Sequence, residues 1–375
     1  MNRKIGVRLV KCLVAGAALA VLLPQAVEWG SNVYAASIKP APSVSSQQLQ
    51  NKLLQAMATR SETLTFTYQG RVNGLKQQLQ TAIQQAMESD PYVNYTIKSY
   101  AFSYTGTTTS AQVTIRLSYR ETKEQTAYVD STVKAVLGDI ITKGMTDHEK
   151  VKAIHDWIVV RLKYDETQQK YTAYDGLKTG STVCQGYSLL AYKMLERAGI
   201  TNRIVEGRAG GQLHAWNLVL LDGRWYHMDT TWDDPTPDRA NEVSTSYYLL
   251  TDTEMRRDHS WVKPYPQANT SYRETLSALV AAGGSKATVY QKLYNILEYP
   301  LQDGKGLVKT SADIKEQVRK IVNKGGTTLT FAYQGTERSL KEDLQSLYQL
   351  GLKSISYQIT DLGSTGNLRV TLKWT

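Results

Sequence analysis

HAWNLVLLDGRWYHMD, residues 214 to 229, decides how the chain folds. Two alternating runs flank Asp222-Gly223, a dipeptide suited to the two-residue turn of a tight β-hairpin. That turn sets Leu221 opposite Arg224, and counting outward sets Trp216 opposite Asp229 and His214 opposite Thr231. His214 and Asp229 are then diagonal neighbours on one face, about 7 to 8 Å apart between backbones, close enough for an imidazole to meet a carboxylate. Trp216, Leu218, Trp225 and His227 share that face, which is expected to receive a helix.

The helix lies upstream, in GSTVCQGYSLLAYKMLERAGI, residues 180 to 200. Leu189, Leu190, Met194 and Leu195 have helical spacing, Gly199 is a natural stop, and Ser181 or Thr182 can cap the start. Cys184 then falls in the first turn, where free N–H groups and the positive end of the helix dipole favour a thiolate. A thiol, an imidazole and a carboxylate together supply a nucleophile, a general base and an orienting acid. Cys184, His214 and Asp229 are the candidate catalytic residues. His227 is a rival base, expected to support the core or the substrate site instead. Thr146 and Glu149 form a capping box ahead of an apolar stripe from Val151 to Leu162, and His155 on that helix is expected to be structural.

The chain begins with Arg3, Lys4, Arg8 and Lys11, then an apolar run from Cys12 to Leu23, and small residues at 35 and 36. This is the pattern of a signal peptide, too short for a membrane-spanning helix of about 20 residues. Cleavage near residue 36 lowers the formal charge from +10 to about +7 and removes one of the two cysteines. Cys184 then has no intramolecular partner. Composition leaves open an intermolecular bridge, a reactive thiol or a buried inert side chain. The product is expected outside the cell or on the wall, with no membrane span. Its basic residues are scattered rather than gathered in a stripe, which argues against nucleic acid. No HExxH, paired CxxC or EF-hand pattern occurs, so neither a metal nor another cofactor is expected.

Farther out the sequence resembles itself. Residues 63–70 read TLTFTYQG and residues 328–335 read TLTFAYQG, and Leu75-Lys76 and Leu79-Gln80 recur at the same offset as Leu340-Lys341 and Leu344-Gln345. Periodicity gives each copy the order helix, strand, helix, strand, strand. The expected organisation is a signal peptide (1–35), a linker (36–45), a first αβαββ module (46–122), a core (128–265), a helical connector (266–310) and a second module (311–375). Neither module contains histidine or cysteine.

VCQGYS around Cys184, HAWN at His214, LDGRWYHMDTTWDDP through Asp229 and the later YYLLTDTEMRRDHSW resemble the transglutaminase-like superfamily over roughly 130 to 262. The resemblance implies an α+β class and a papain-like core, N-terminal helices packed on an antiparallel sheet, here flanked by the two modules. It implies Cys184 as nucleophile, His214 as base and Asp229 as orienting acid. Trp216, Gln185 and Trp232, within the same motifs, are the candidate substrate-binding side chains. The expected function is a secreted thiol enzyme acting on peptide or isopeptide amide bonds of a peptide or protein substrate, by hydrolysis or acyl transfer. The alternative is a non-catalytic envelope binding or scaffold protein that retains the fold.

Overall fold

The computed structural model describes residues 25–28, 43–44, 46–234, 243–304, 306–362 and 365–375. Most of the expected signal peptide and linker lies outside the described residues; the short strands β1 (Gln25–Glu28) and β2 (Ser43–Val44) are inside them. The chain forms two compact units that part between Asn269 and Thr270.

The first unit continues with α1 (Ser46–Ala58), β3 (Thr63–Gln69), α2 (Leu75–Glu88), α3 (Pro91–Thr96), β4 (Ile97–Gly106) and β5 (Ser110–Tyr119). The strands form one sheet in the order β1-β4-β5-β3-β2, with β5 antiparallel to both β3 and β4. Leu49, Leu53, Leu75, Leu79 and Ile83 from the helices bury themselves against Phe66, Val113, Ile115 and Leu117 of the sheet. Helix α3 is an addition to the expected order, which passes from the second helix straight to a strand. Asp90 accepts hydrogen bonds from the N–H groups of Tyr92 and Val93, and Pro91 occupies the first helical position. Such a cap and such a proline start a helix.

The core follows: α4 (Lys123–Ile140), α5 (Asp147–Arg161), β6 (Lys163–Tyr164), α6 (Ala173–Thr179), β7 (Ser181–Thr182) and α7 (Cys184–Arg197). Next come β8 (Asn202–Ala209), β9 (Gln212–Leu221), β10 (Arg224–Met228), α8 (Asp252–Met255) and β11 (His259–Ser260). The expected capping box of Thr146 and Glu149 opens α5. Strands β10-β9-β8-β11 make an antiparallel sheet in that order. The hairpin register runs from Arg224 opposite Leu221 to Met228 opposite Asn217, as counted from the turn. Asp222 and Gly223 both have positive φ, 49° and 74°, which matches the twist of the flanking strands.

Helix α7 lies on the opposite face from the one the sequence suggested. Ser188 donates to the Ala215 carbonyl (2.8 Å), and the Asn217 amide donates to the Ser188 carbonyl (3.1 Å). That side of β9 also carries the buried Ala215, Val219 and Leu221. The aromatic side is covered by the returning segment after β10, where Met255 and Ala268 pack on Val205, Trp216 and Leu218.

The second unit contains α9 (Tyr272–Ala281), α10 (Ala287–Ile296), α11 (Tyr299–Gln302), α12 (Ser311–Val322), β12 (Thr328–Tyr333), α13 (Glu337–Gln345), a 3₁₀ turn, β13 (Ile355–Asp361) and β14 (Leu368–Trp374). Its sheet has the order β12-β14-β13, all antiparallel. Ile314, Val318, Leu340, Leu344 and Leu347 cover Phe331, Val370 and Leu372.

Gly186 marks the tightest packing around α7: a Cβ there would stand 1.9 Å from Thr182 Oγ1 and 2.8 Å from the Thr172 carbonyl oxygen. Gly186→Ala is expected to lower unfolding free energy by about 1–3 kcal/mol, the usual range for overpacking. Denaturant unfolding checks this, and a midpoint equal to wild type would contradict the packing described.

Candidate active site

Cys184 is the first residue of α7 and is 3% exposed. Val183 is its N-cap and provides no side-chain acceptor. Neither expected cap is used: Ser181 and Thr182 are drawn into β7, and the Thr182 hydroxyl donates to the Lys170 carbonyl (3.0 Å). The helix start is therefore uncapped by a side chain at the thiol. Ala215 meets α7 at Ser188, one turn after Cys184, so His214 on β9 comes level with that first turn.

His214 Nε2 lies 2.6 Å from Asp229 Oδ2, and the imidazole also hydrogen-bonds the side chain of Cys184. With Nε2 taken by Asp229, Nδ1 is the ring nitrogen left for the thiol. Burial by itself would lower the His214 pKa. The charges of Asp229 and Cys184, with the hydrogen bonds to both, outweigh burial and raise it to about 10. Asp229 follows β10 directly and is fully buried. Burial pushes its carboxyl up, but His214 and a second histidine, His259, pull it well below the usual carboxylate range. Its Oδ1 accepts from the N–H groups of Thr231 (3.0 Å) and Trp232 (3.2 Å). The structure brings Cys184, His214 and Asp229 together; the hairpin count concerned His214 and Asp229 alone.

His227 is settled by its partners. Trp216 Nε1 donates to His227 Nδ1 (2.8 Å), so Nε2 carries the proton and faces Asp252 Oδ1 (2.8 Å). Burial lowers its pKa to about 4 despite Asp252. It is a neutral core histidine. His155 is fully buried between Asp156 (2.9 Å) and Asp233 (3.0 Å) and serves the packing of α5.

The three candidate substrate contacts occupy different places. Trp216 is 1% exposed and stacks on His214 with ring centroids 5.9 Å apart. Trp232 is partly exposed, 6.2 Å from the His214 ring. Gln185 is buried and donates to the carbonyl of Tyr95 on α3 (3.2 Å). Tyr95 also donates its hydroxyl to Glu206 on β8 (2.6 Å), so α3 grips the core beside the nucleophile.

His259 was not singled out by sequence reasoning. It lies 3.0 Å from Asp229 Oδ2 through Nε2 and 2.6 Å from Asp258 Oδ1 through Nδ1. Its signal was the pair Asp258-His259 in YYLLTDTEMRRDHSW, but no local periodicity tied it to the hairpin. Among the described residues, His214, Asp229 and His259 are the cluster whose atoms are close enough to hold a metal ion. Both imidazoles sit at hydrogen-bond distance from one oxygen, nearer than the roughly 3.3 Å between ligands that bonds of about 2.0–2.1 Å around a tetrahedral ion require. The cluster fits shared hydrogen bonds better than a coordination shell. Among the described residues no helix is long and apolar enough to cross a membrane.

Residues 134–230 match the family described as the transglutaminase-like superfamily. Kyphoscoliosis peptidase from Mus musculus is 30% identical over 145 residues, covering 33% of this chain and 22% of the relative. Its Homo sapiens counterpart is 31% identical over 143 residues, covering 32% and 22%. The chain thus spans about a fifth of the length of these relatives. A solved structure of a TGase aligns with a TM-score of 0.28 and 13% identity, over 57% of this chain and 65% of that one.

The pKa directions make a stability prediction. Asp229 is depressed, so its contribution is present above the unfolded value of about 3.9 and lost as pH falls. His214 is raised, so its contribution is present below about 6.5 and lost as pH rises through about 10. Asp229→Ala is expected to cost about 3–5 kcal/mol between pH 4 and 6.5, the range for breaking a buried pair. The deficit should shrink toward pH 10; a pH-independent deficit in thermal unfolding would contradict the ion pair.

Proposed function

We propose that the chain is a thiol enzyme that cleaves or transfers peptide or isopeptide amide bonds through a thioester. The observation that carries this reading is the imidazole of His214, hydrogen-bonded at once to Cys184 and to the buried carboxylate of Asp229. The raised pKa keeps His214 protonated near neutrality, which stabilises a thiolate beside it.

The thiolate of Cys184 attacks the amide carbonyl carbon, and negative charge collects on the carbonyl oxygen. The Cys184 backbone N–H at the uncapped helix start, with one donor from the preceding loop, receives that charge. His214 gives its proton to the nitrogen as the C–N bond breaks, releasing an amine and leaving a thioester. Water or a second amine then attacks the thioester, His214 takes the proton, and the C–S bond breaks to restore the thiol–imidazole pair. The first acceptor makes a hydrolase and the second an acyl transferase. Asp229 orients the ring and offsets its charge throughout.

In the same reading the N-terminal segment directs secretion, and the basic product works on peptides or proteins of the cell envelope. The two flanking units are repeats of one αβαββ module, supported by TLTFTYQG and TLTFAYQG and by the shared placement of the last strand between the other two. Their part is binding or spacing, since neither carries histidine or cysteine.

Incubation with an activated acyl ester, followed by intact-mass measurement, tests the chemistry. Wild type should gain one acyl group that hydroxylamine removes, and Cys184→Ala should gain none. His214→Ala should slow acylation about 10²–10⁴-fold, the usual worth of a general base. Equal labelling of wild type and Cys184→Ala would overturn the proposal.

A further inference from the structure

We propose that His259 is a positioning residue of the active site: clamped by Asp258, it fixes the Asp229 oxygen that orients His214. The inference rests on the Cys184–His214–Asp229 reading and extends it by one layer. Asp229 Oδ2 is shared, 2.6 Å from His214 Nε2 and 3.0 Å from His259 Nε2. A carboxylate held by a single histidine could rotate about its last bond. The second imidazole, with the backbone N–H groups of Thr231 and Trp232 on Oδ1, removes that freedom.

His259 is itself fixed on every side. Its Nδ1 meets Asp258 Oδ1 (2.6 Å), and the other Asp258 oxygen accepts from the Tyr247 hydroxyl (2.5 Å). Its ring lies 4.6 Å from that of Trp232, 5.1 Å from Trp216 and 5.6 Å from His214. Short strand β11 places it there by pairing His259 with Ala209. The titratable groups around it are Asp229, Asp258, His214, Tyr247 and, more distantly, His227. Nε2 thus points at one oxygen of Asp229, and the side chain is buried. His259 acts through Asp229, and its effect should be on when the thiol–imidazole pair is ionised.

The test is the pH profile of Cys184 alkylation by iodoacetamide from pH 4 to 11, with wild type, His259→Leu and His259→Gln. Thermal unfolding of each variant confirms folding. Wild type should show a plateau entered through a lower limb, where the thiol loses its proton, and left through an upper limb near pH 10, where His214 loses its proton and the rate climbs to that of a thiolate no longer held in an ion pair. His259→Leu loosens Asp229, so imidazolium is less stabilised; the lower limb should rise and the upper limb fall by about one pH unit each, with the plateau rate reduced about tenfold. Gln keeps an N–H donor toward Asp229, and His259→Gln should restore both limbs to within about 0.3 of a pH unit. A folded His259→Leu whose limbs stay in place while only its rate falls would overturn the positioning role, as would a folded His259→Gln that rescues neither limb. A wild type without the plateau would instead defeat the reading of the triad itself.

Discussion

A carboxylate with no exposure to water must be fully hydrogen-bonded or it unfolds its surroundings, and Asp229 imposes that condition on the core. Its acceptor oxygens are met by two imidazoles and two backbone N–H groups, drawn from three stretches of chain: β9, β11 and the turn after β10. The hairpin must end at Met228, the following residues must turn sharply back, and a short strand must lie along β8 to deliver the second imidazole. The charge of this anion, with that of Cys184, raises the pKa of His214.

Two histidines of this hairpin illustrate how environment assigns chemistry to a residue type. His214 and His227 face the same side of the sheet, separated by Trp216. His214 touches a carboxylate and a thiol and is pushed up to about 10; His227 receives the indole N–H and is pushed down to about 4. A base must gain and lose a proton beside the substrate, and the indole leaves His227 no free nitrogen for that.

Much of this was legible in the sequence because it depends on local rules. Asp222-Gly223 fixes the turn, the period of two fixes the face, and together they bring His214 to Asp229 without knowledge of the rest. Thr146 and Glu149 announce a helix start in the same way. What escaped depends on distant partners. On one side of β9 the Asn217 amide meets a carbonyl of α7, and the aromatic side is covered by a segment some 40 residues later. His259 reaches Asp229 across 30 positions through a two-residue strand too short to have a period. Helix α3 was signalled by Asp90-Pro91, but the alternating apolar residues after it read as strand.

Helix α3 also makes the two ends of the chain unequal. The first sheet hands its chain through α3, and Tyr95 there accepts from Gln185 and donates to Glu206 beside the nucleophile. The corresponding stretch of the second sheet is a 3₁₀ turn, Ser346–Leu350, with no capping aspartate or proline. The second sheet thus shares the central strand order of the first, but the tyrosine that joins Gln185 to Glu206, Tyr95, belongs to the first. What the two sheets have in common is strand order, and residues 91–96 tie the first to the nucleophile's surroundings.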